Sequence, residues 1–289
     1  MGRITARRPA VRVSAGLEMT VPRVETLAVE EPLELRIDGR PLAVTMRTPG
    51  SDMELAAGFL LAEGVVTAAE HIRTMRYCAG TDAQGRQTYN VLDIVLADGV
   101  PPPDPSVERA FLTTSSCGLC GAAGIEAVRR RSAFTVGDDP LRVTPALLAE
   151  LPDKLRREQP TFERTGGLHA AGLFDSEGDL LCAREDVGRH NAVDKVLGWA
   201  LNTGRLPARG TMLVVSGRAS FELTQKAFMA GVPLLAAVSA PSSLAADLAS
   251  EVGMTLVGFL RGETMNVYAG SERVTAAMPV ESADSAPQR

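Results

Sequence analysis

The feature that most constrains this chain is the regular alternation in its second half, where short apolar runs take turns with stretches of helical period. TMLVVSG at 211–217, VPLLAAVS at 232–239 and MTLVGFL at 254–260 have the length and β-branched content of buried strands. ASFELTQKAFMAG and SLAADLASEVG between them have the length of helices, and MNVYAG closes the pattern as a last strand candidate. Such alternation predicts right-handed βαβ crossovers and a largely parallel sheet buried on both faces. Ligands are then expected beyond the C-terminal ends of the strands. Upstream, LHAAGLF and DLLCARE flank a turn at Asp175–Gly178 and predict a hairpin. A helix from about Arg189 to Leu201 follows, with Ala192, Val193, Val196, Leu197 and Ala200 on one face.

The first half reads as β-rich. Leu33, Leu35, Ile37 and then Leu42, Val44, Met46 alternate around Asp38-Gly39, the signature of a hairpin. Pro49-Gly50 breaks the strand, and Ser51 or Asp52 is placed to cap a helix through MELAAGFLLAEG that stops at Gly64. Strand candidates at Ile72–Cys78 and Gln87–Leu96 come next, and GVPPPDP at 99–105 acts as a spacer. A polar, glycine-punctuated loop then leads into a short helix over Gly121–Arg131. A second helix capped by Thr144 covers 145–158, where Pro152 is expected to kink or split it. The organisation expected is a flexible tail at 1–19, a β-rich part at 20–110, a connecting segment at 111–160, an α/β part at 161–275 and a disordered tail at 276–289, the two folded parts packing as one unit.

Composition narrows the function classes. The 289 residues are 45% hydrophobic and 22% charged, a globular balance, and a net charge of −5 argues against nucleic-acid binding by bulk charge. No window approaches the ~18 consecutive apolar residues of a membrane span. Arg3, Arg7, Arg8 and Arg12 suggest an export signal, but no apolar h-region follows them, so a cytoplasmic protein is expected. Four cysteines are too few for a disulfide-built scaffold.

The predicted strand ends carry small polar loops: Ser216-Gly217-Arg218-Ala219-Ser220, Ser239-Ala240-Pro241-Ser242-Ser243 and Arg261-Gly262-Glu263-Thr264. Helix N-termini together with Arg218 and Arg261 would suit an anionic or phosphorylated ligand, although Ser and Gly in any one loop also serve as simple caps. Cys117 and Cys120 stand in SSCGLCG at the expected start of a helix, where the peptide dipoles lower a thiol pKa. Four readings stay open for the pair. A zinc site would need help from Cys78, Cys182, His71, His169 or His190, with no second CxxC to complete it. A thioredoxin-like center would follow a strand rather than a proline-rich spacer. The other two are a chemically silent loop and a thiolate that carries sulfane sulfur as a persulfide.

Five segments together carry a resemblance: TPGSDMELAAGFLLAEG at 48–64, TTSSCGLCG at 113–121, EDVGRHNAVDKVLG at 185–198, VSGRASFELTQKA at 215–227 and GFLRGETMNVY at 258–268. They resemble the formate dehydrogenase accessory sulfurtransferase family, FdhD, in order and over about residues 22–275. The resemblance implies a cytidine-deaminase-like mixed α/β sheet flanked by helices, and a generally dimeric protein. It further implies a sulfurtransferase that takes sulfur from a cysteine desulfurase and passes it to the molybdenum or tungsten cofactor, a bis(molybdopterin guanine dinucleotide), before formate dehydrogenase receives it. By the same resemblance Cys117 is the persulfide residue, Cys120 a relay or supporting thiol, and Phe259, Leu260, Arg261, Gly262, Glu263 and Thr264 the cofactor-binding segment, for which guanine nucleotides are mimics. Deamination is disfavoured, since the sheet half lacks paired H-x-E and P-C-x-x-C motifs. The competing class is a zinc- or cofactor-binding chaperone that transfers no sulfur.

Other residues have a bland reading beside the functional one. His190, at the start of a predicted helix with Asp194 and Lys195 one turn on, could hold the cofactor or donate a proton; a cap-and-hydrogen-bond cluster is the alternative. His169 reads as a satisfied core histidine that could reach the same pocket. Cys78 and Cys182 read as inert buried residues. The Arg129–Arg131 run reads as a solvated helix end or a docking surface for an acidic partner.

Overall fold

The computed structural model describes residues 3–14, 17–80, 88–103 and 132–275. Two sheets and a separate ribbon organise them. The ribbon is β1 (Thr5–Ser14) paired antiparallel with β2 (Leu17–Ala28). Where a flexible basic tail was expected, residues 5–14 therefore form a strand. The four-stranded sheet has the order β4-β3-β6-β5, from β3 (Glu31–Ile37), β4 (Arg40–Arg47), β5 (Ile72–Tyr77) and β6 (Val91–Leu96). The β3–β4 hairpin forms as predicted, with Asp38 and Gly39 both at positive φ, 49° and 77°, the backbone that a two-residue turn matched to strand twist demands.

The six-stranded sheet has the order β12-β11-β10-β9-β7-β8. Its strands are β7 (His169–Phe174), β8 (Leu180–Asp186), β9 (Met212–Val215), β10 (Leu234–Ala237), β11 (Thr255–Arg261) and β12 (Thr264–Ala269). The expectation of a largely parallel sheet is corrected: β9–β10 and β10–β11 are parallel, whereas β7 is antiparallel to both β8 and β9, and β12 is antiparallel to β11. The reason is that the β7–β8 hairpin delivers the chain on an outer strand, and the next crossover returns it on the far side of β7. The result is a mixed sheet flanked by helices.

Six α-helices lie among the described residues: α1 (Asp52–Ala62), α2 (Pro145–Arg157), α3 (Pro160–Thr165), α4 (Arg189–Asn202), α5 (Phe221–Met229) and α6 (Ser243–Val252). Thr144 Oγ1 accepts the Leu147 N–H as the predicted cap of α2, which runs through Pro152 without being split. Ser51 occupies the cap position of α1 in a left-handed conformation and makes no side-chain cap, while Asp52 accepts the Gly50 N–H and binds Arg47 instead.

Alternate residues of the buried strands serve two cores. Met212, Val214, Leu234, Ala236 and Val257 pack with Leu148, Leu151 and Leu155 of α2. Leu213, Val215, Leu235, Ala237 and Leu256 face the opposite way, into a cluster that runs on through Val193 and Leu197 of α4 and Leu60 of α1 to Leu33 and Leu35 of the other sheet. Helices α1 and α4 touch backbone to backbone. A Cβ on Gly58 would stand 1.9 Å from the Asp194 carbonyl oxygen, and one on Gly198 would stand 1.8 Å from that of Glu54. Two glycines thus set how closely helices α1 and α4 approach.

Candidate functional site

The C-terminal ends of β9, β10 and β11 carry the three polar loops, and backbone hydrogen bonds tie these into one surface. Ser239 N–H donates to Gly217 O (3.3 Å), Ser242 N–H to Ala219 O (2.9 Å) and Phe259 N–H to Ser239 O (3.1 Å). Because β7 runs antiparallel to β9, its first residue lies at the same end: a Cβ on Gly217 would be 3.5 Å from His169 Nδ1. Strand β8 ends there too, and α4 starts from it at Gly188.

The segment EDVGRHNAVDK divides at this point. Asp186 is fully buried and saturated: its carboxylate accepts from Thr48 N (3.1 Å), Gly188 N (2.8 Å) and Asn191 Nδ2 (3.0 Å), and pairs with Lys195 Nζ at 2.7 Å. Lys195 also donates to Thr48 O (2.9 Å) and Asn191 to Met46 O (2.7 Å), so the cluster clamps the end of β4 onto α4. The Glu185 carboxylate accepts the Thr161 and Phe162 N–H groups and caps α3. Asp194 pairs with Lys226 at 2.7 Å, and burial pushes its carboxyl upward against the pull of that lysine. The bland cap-and-hydrogen-bond reading is thus right for most of the motif.

It fails for Arg189 and His190. The buried atoms Arg189 Nε, His190 Nε2 and Ser220 Oγ find no hydrogen-bond partner, and all three sit where the first turns of α4 and α5 face each other. Glu222 Oε2 lies 3.7 Å from His190 Nε2, an ion-pair distance rather than a hydrogen bond. Glu222 is held down at about 2, chiefly by His190 and further by its backbone surroundings and Ser220. His169 is pushed below its ordinary value by burial first, then by the charges of Arg189 and His190. Each buried polar atom left unpaired costs about 1–3 kcal/mol, so three in one place mark where water or a ligand completes the bonding. Two helix N-termini, the guanidinium of Arg189 and the exposed Arg218 suit an oxyanion, while Glu222 offers an ionised acceptor for N–H donors.

The remaining predicted residues fall as follows. Ser216 is half-buried, its Oγ accepting the Ala170 N–H at 2.9 Å, so it braces the loop. Arg261 is exposed and its Nε donates to Val238 O at 2.8 Å, which joins the β11–β12 turn to the loop after β10. Gly262, Glu263 and Thr264 are exposed in that turn. Leu260 departs from expectation: its side chain is fully buried in the core facing α2, so the segment can offer a ligand no more than its backbone at this position. Phe259 is exposed and held at φ 53° where the β11–β12 register breaks, which leaves its ring on the surface. Cys117, Cys120, the helix expected at 121–131 and Arg129–Arg131 lie outside the described residues. Cys182 is buried on β8, its thiol pushed up to about 11 by burial, whereas Cys78 is half-buried just beyond β5 rather than in the core. Among the described residues no His, Cys, Asp and Glu side chains group into a metal site, and no helix is long and apolar enough to cross a membrane. Sequence reasoning passed over Arg189 and Glu222, because each looks like an ordinary first-turn residue until the two helix starts are seen to face each other.

Fold and site together define a mixed α/β protein in which two helix N-termini and the side chains of Arg189, His190 and Arg218 gather at one end of the six-stranded sheet. The chain belongs to the FdhD/NarQ family, which matches residues 28–275. It is 60% identical to the sulfur carrier protein FdhD of Streptomyces avermitilis, over 95% of this chain and 97% of that one. It is 58% identical to the protein of that name from Mycobacterium tuberculosis, over 95% of this chain and all of that one. A crystal structure described as a formate dehydrogenase accessory protein from Desulfotalea psychrophila superposes with a TM-score of 0.72 at 26% identity, covering 94% of this chain and 100% of that one.

Proposed function

We propose that this chain is a cytoplasmic sulfurtransferase that carries sulfur for the maturation of formate dehydrogenase. The observation that carries the reading is TTSSCGLCG at 113–121 in a chain so closely related to proteins named sulfur carriers. The Cys117 thiolate attacks the outer sulfur of a persulfide on a cysteine desulfurase; the donor thiolate leaves and Cys117 retains the sulfane sulfur. Cys120 is the supporting or relay thiol. The acceptor is the molybdenum bis(molybdopterin guanine dinucleotide) cofactor, bound as substrate before the formate dehydrogenase catalytic subunit receives it. The sheet end is the docking place for that substrate. Arg189, His190, Ser220 and the exposed Arg218 supply the donors for its phosphates, with Gly217 leaving the space, and Phe259, Arg261, Gly262, Glu263 and Thr264 border them. Guanine nucleotides are the accessible mimics, and the working form is a homodimer.

The test is mass spectrometry of the CxxC peptide after incubation with a cysteine desulfurase and cysteine. A persulfide adds ~32 Da, and the Cys117→Ala chain gains nothing. An unmodified wild-type peptide, or stoichiometric tightly held zinc in its place, would instead support a chaperone that transfers no sulfur.

A further inference from the structure

The strand that leaves the β11–β12 turn carries an exposed ring without a use in the account so far. Among the described residues three aromatic side chains are exposed, and two of them, Phe259 (39%) and Tyr268 (42%), stand where the β11–β12 ladder is irregular. Leu256 pairs with Ala269 but Val257 with Val267, so Tyr268 is the extra residue of a bulge, the device by which a strand re-aims a side chain. Its ring reaches across β11. A Cβ on Gly258 would stand 3.0 Å from Tyr268 Cε2 and 2.7 Å from Pro241 Cδ, so the bare backbone of Gly258 is what lets the two rings close over it. Gly258 lies two residues from Leu256 and faces the same way, to the side covered by α4, α5 and α6. Pro241 in turn is bridged to Ala219, the neighbour of Ser220. Among the described residues the Tyr268 hydroxyl meets only the Asn266 amide, at 3.5 Å.

We propose that the face of the Tyr268 ring is where the purine base of the bound nucleotide stacks. This rests on the nucleotide-docking reading above and adds to it a residue outside the 259–264 segment. Three observations select a base as the occupant. The first is reach. From Ser220, whose Oγ is one of the orphaned donors, to Tyr268 runs two steps of adjacent backbone by way of Pro241, roughly 10 Å at ~4.8 Å per step, the distance a ribose spans between a base and its phosphates. The second is preorganisation. Bulge, Gly258 and Pro241 hold the ring before any ligand arrives, so little side-chain entropy is lost when a flat heterocycle settles on it. The third is the surroundings. Thr264 and Asn266 on the same strand, with Ser242 and Ser243 at the start of α6, are exposed and polar. That setting suits one stacked base with hydrogen bonds to its edge, not the apolar centre of a protein interface.

Calorimetric titration of the full chain with guanosine diphosphate and with inorganic pyrophosphate tests this. Tyr268→Phe keeps the ring and should bind guanosine diphosphate within about twofold of the wild type, whereas Tyr268→Leu keeps bulk without a π face and should bind it about tenfold more weakly. Pyrophosphate, which has no base, should bind all three chains alike. The protein has three tyrosines, so the ring can also be observed directly: a nuclear Overhauser effect should link guanine H8 to Tyr268 and to neither Tyr77 nor Tyr89. Wild-type affinity for guanosine diphosphate in Tyr268→Leu, or an equal loss of pyrophosphate, would overturn the stacking role. So would a wild type that binds the two ligands equally well, since the base would then contribute nothing. Formate dehydrogenase maturation lost in Tyr268→Leu with nucleotide binding intact would give the ring to a protein partner instead. A wild type that binds neither ligand would overturn the nucleotide-docking reading itself, and the stacking role with it.

Discussion

Asp186, Asn191 and Lys195 on one side, and Arg189, His190 and Ser220 on the other, are polar groups around the same helix start with opposite degrees of saturation. In the first set every carboxylate oxygen and ammonium proton has a partner, most of them around the helix start itself and the rest on Met46 and Thr48 at the end of β4. In the second, three buried atoms have none. A buried polar group either completes its hydrogen bonds within the fold or costs stability until something else completes them. Saturation therefore separates the cluster that holds the molecule together from the one we propose to meet a ligand.

The comparison can be broken most sharply at Lys195. Lys195→Met leaves Asp186 buried without its cation and should cost about 3–5 kcal/mol in a denaturant titration; a loss below 1 kcal/mol would mean that the cluster holds nothing. Gly198→Ala attacks the same helix pair by overlap, since its Cβ would reach the Glu54 backbone, and should cost about 3 kcal/mol. On the other side, Ser220→Ala should stay within about 0.5 kcal/mol of the wild type or gain stability, as sites that trade stability for function do, whereas His190→Ala also removes the imidazole that holds Glu222 down and should cost more than that near neutral pH. Their signature is instead a fall of roughly tenfold in affinity for guanosine diphosphate, about 1.4 kcal/mol. The smallest effect is in pH. Glu222 has its folded value at about 2, below the ordinary 4.5, so the stability it adds is present above pH 4.5 and is lost as pH falls through about 2. Glu222→Gln should flatten that part of the stability profile, read as urea midpoints at pH 5 and pH 3.

What the sequence disclosed follows from the range of each signal. The strands β9 to β11 and helices α4 to α6 announce themselves by local period, and Asp38-Gly39 by its turn chemistry. The direction of β7 against β9 has no local signature, which is why a mixed sheet read as a parallel one. The contact between Gly58 and Asp194 joins residues far apart in the chain, and neither glycine advertises it. The ribbon was overlooked for another reason: arginines beside prolines read as a tail, although Pro9, Val11 and Val13 already alternate with Ala10 and Arg12. At the site, His190 and Arg218 were legible as polar residues at element ends. Arg189 and Glu222 become informative only when α4 and α5 are placed face to face.

The three histidines offer the most direct test of the central claim, that the unsaturated sheet end is the nucleotide-binding place. His169 and His190 belong to it, whereas His71 lies by the other sheet and accepts the Thr67 N–H through Nδ1 at 3.3 Å. In a titration with guanosine diphosphate followed by the imidazole resonances, His169 and His190 should shift together with one saturation curve while His71 stays still. Saturable binding that moves His71, or that leaves His169 and His190 unmoved, would place the ligand elsewhere and contradict the account.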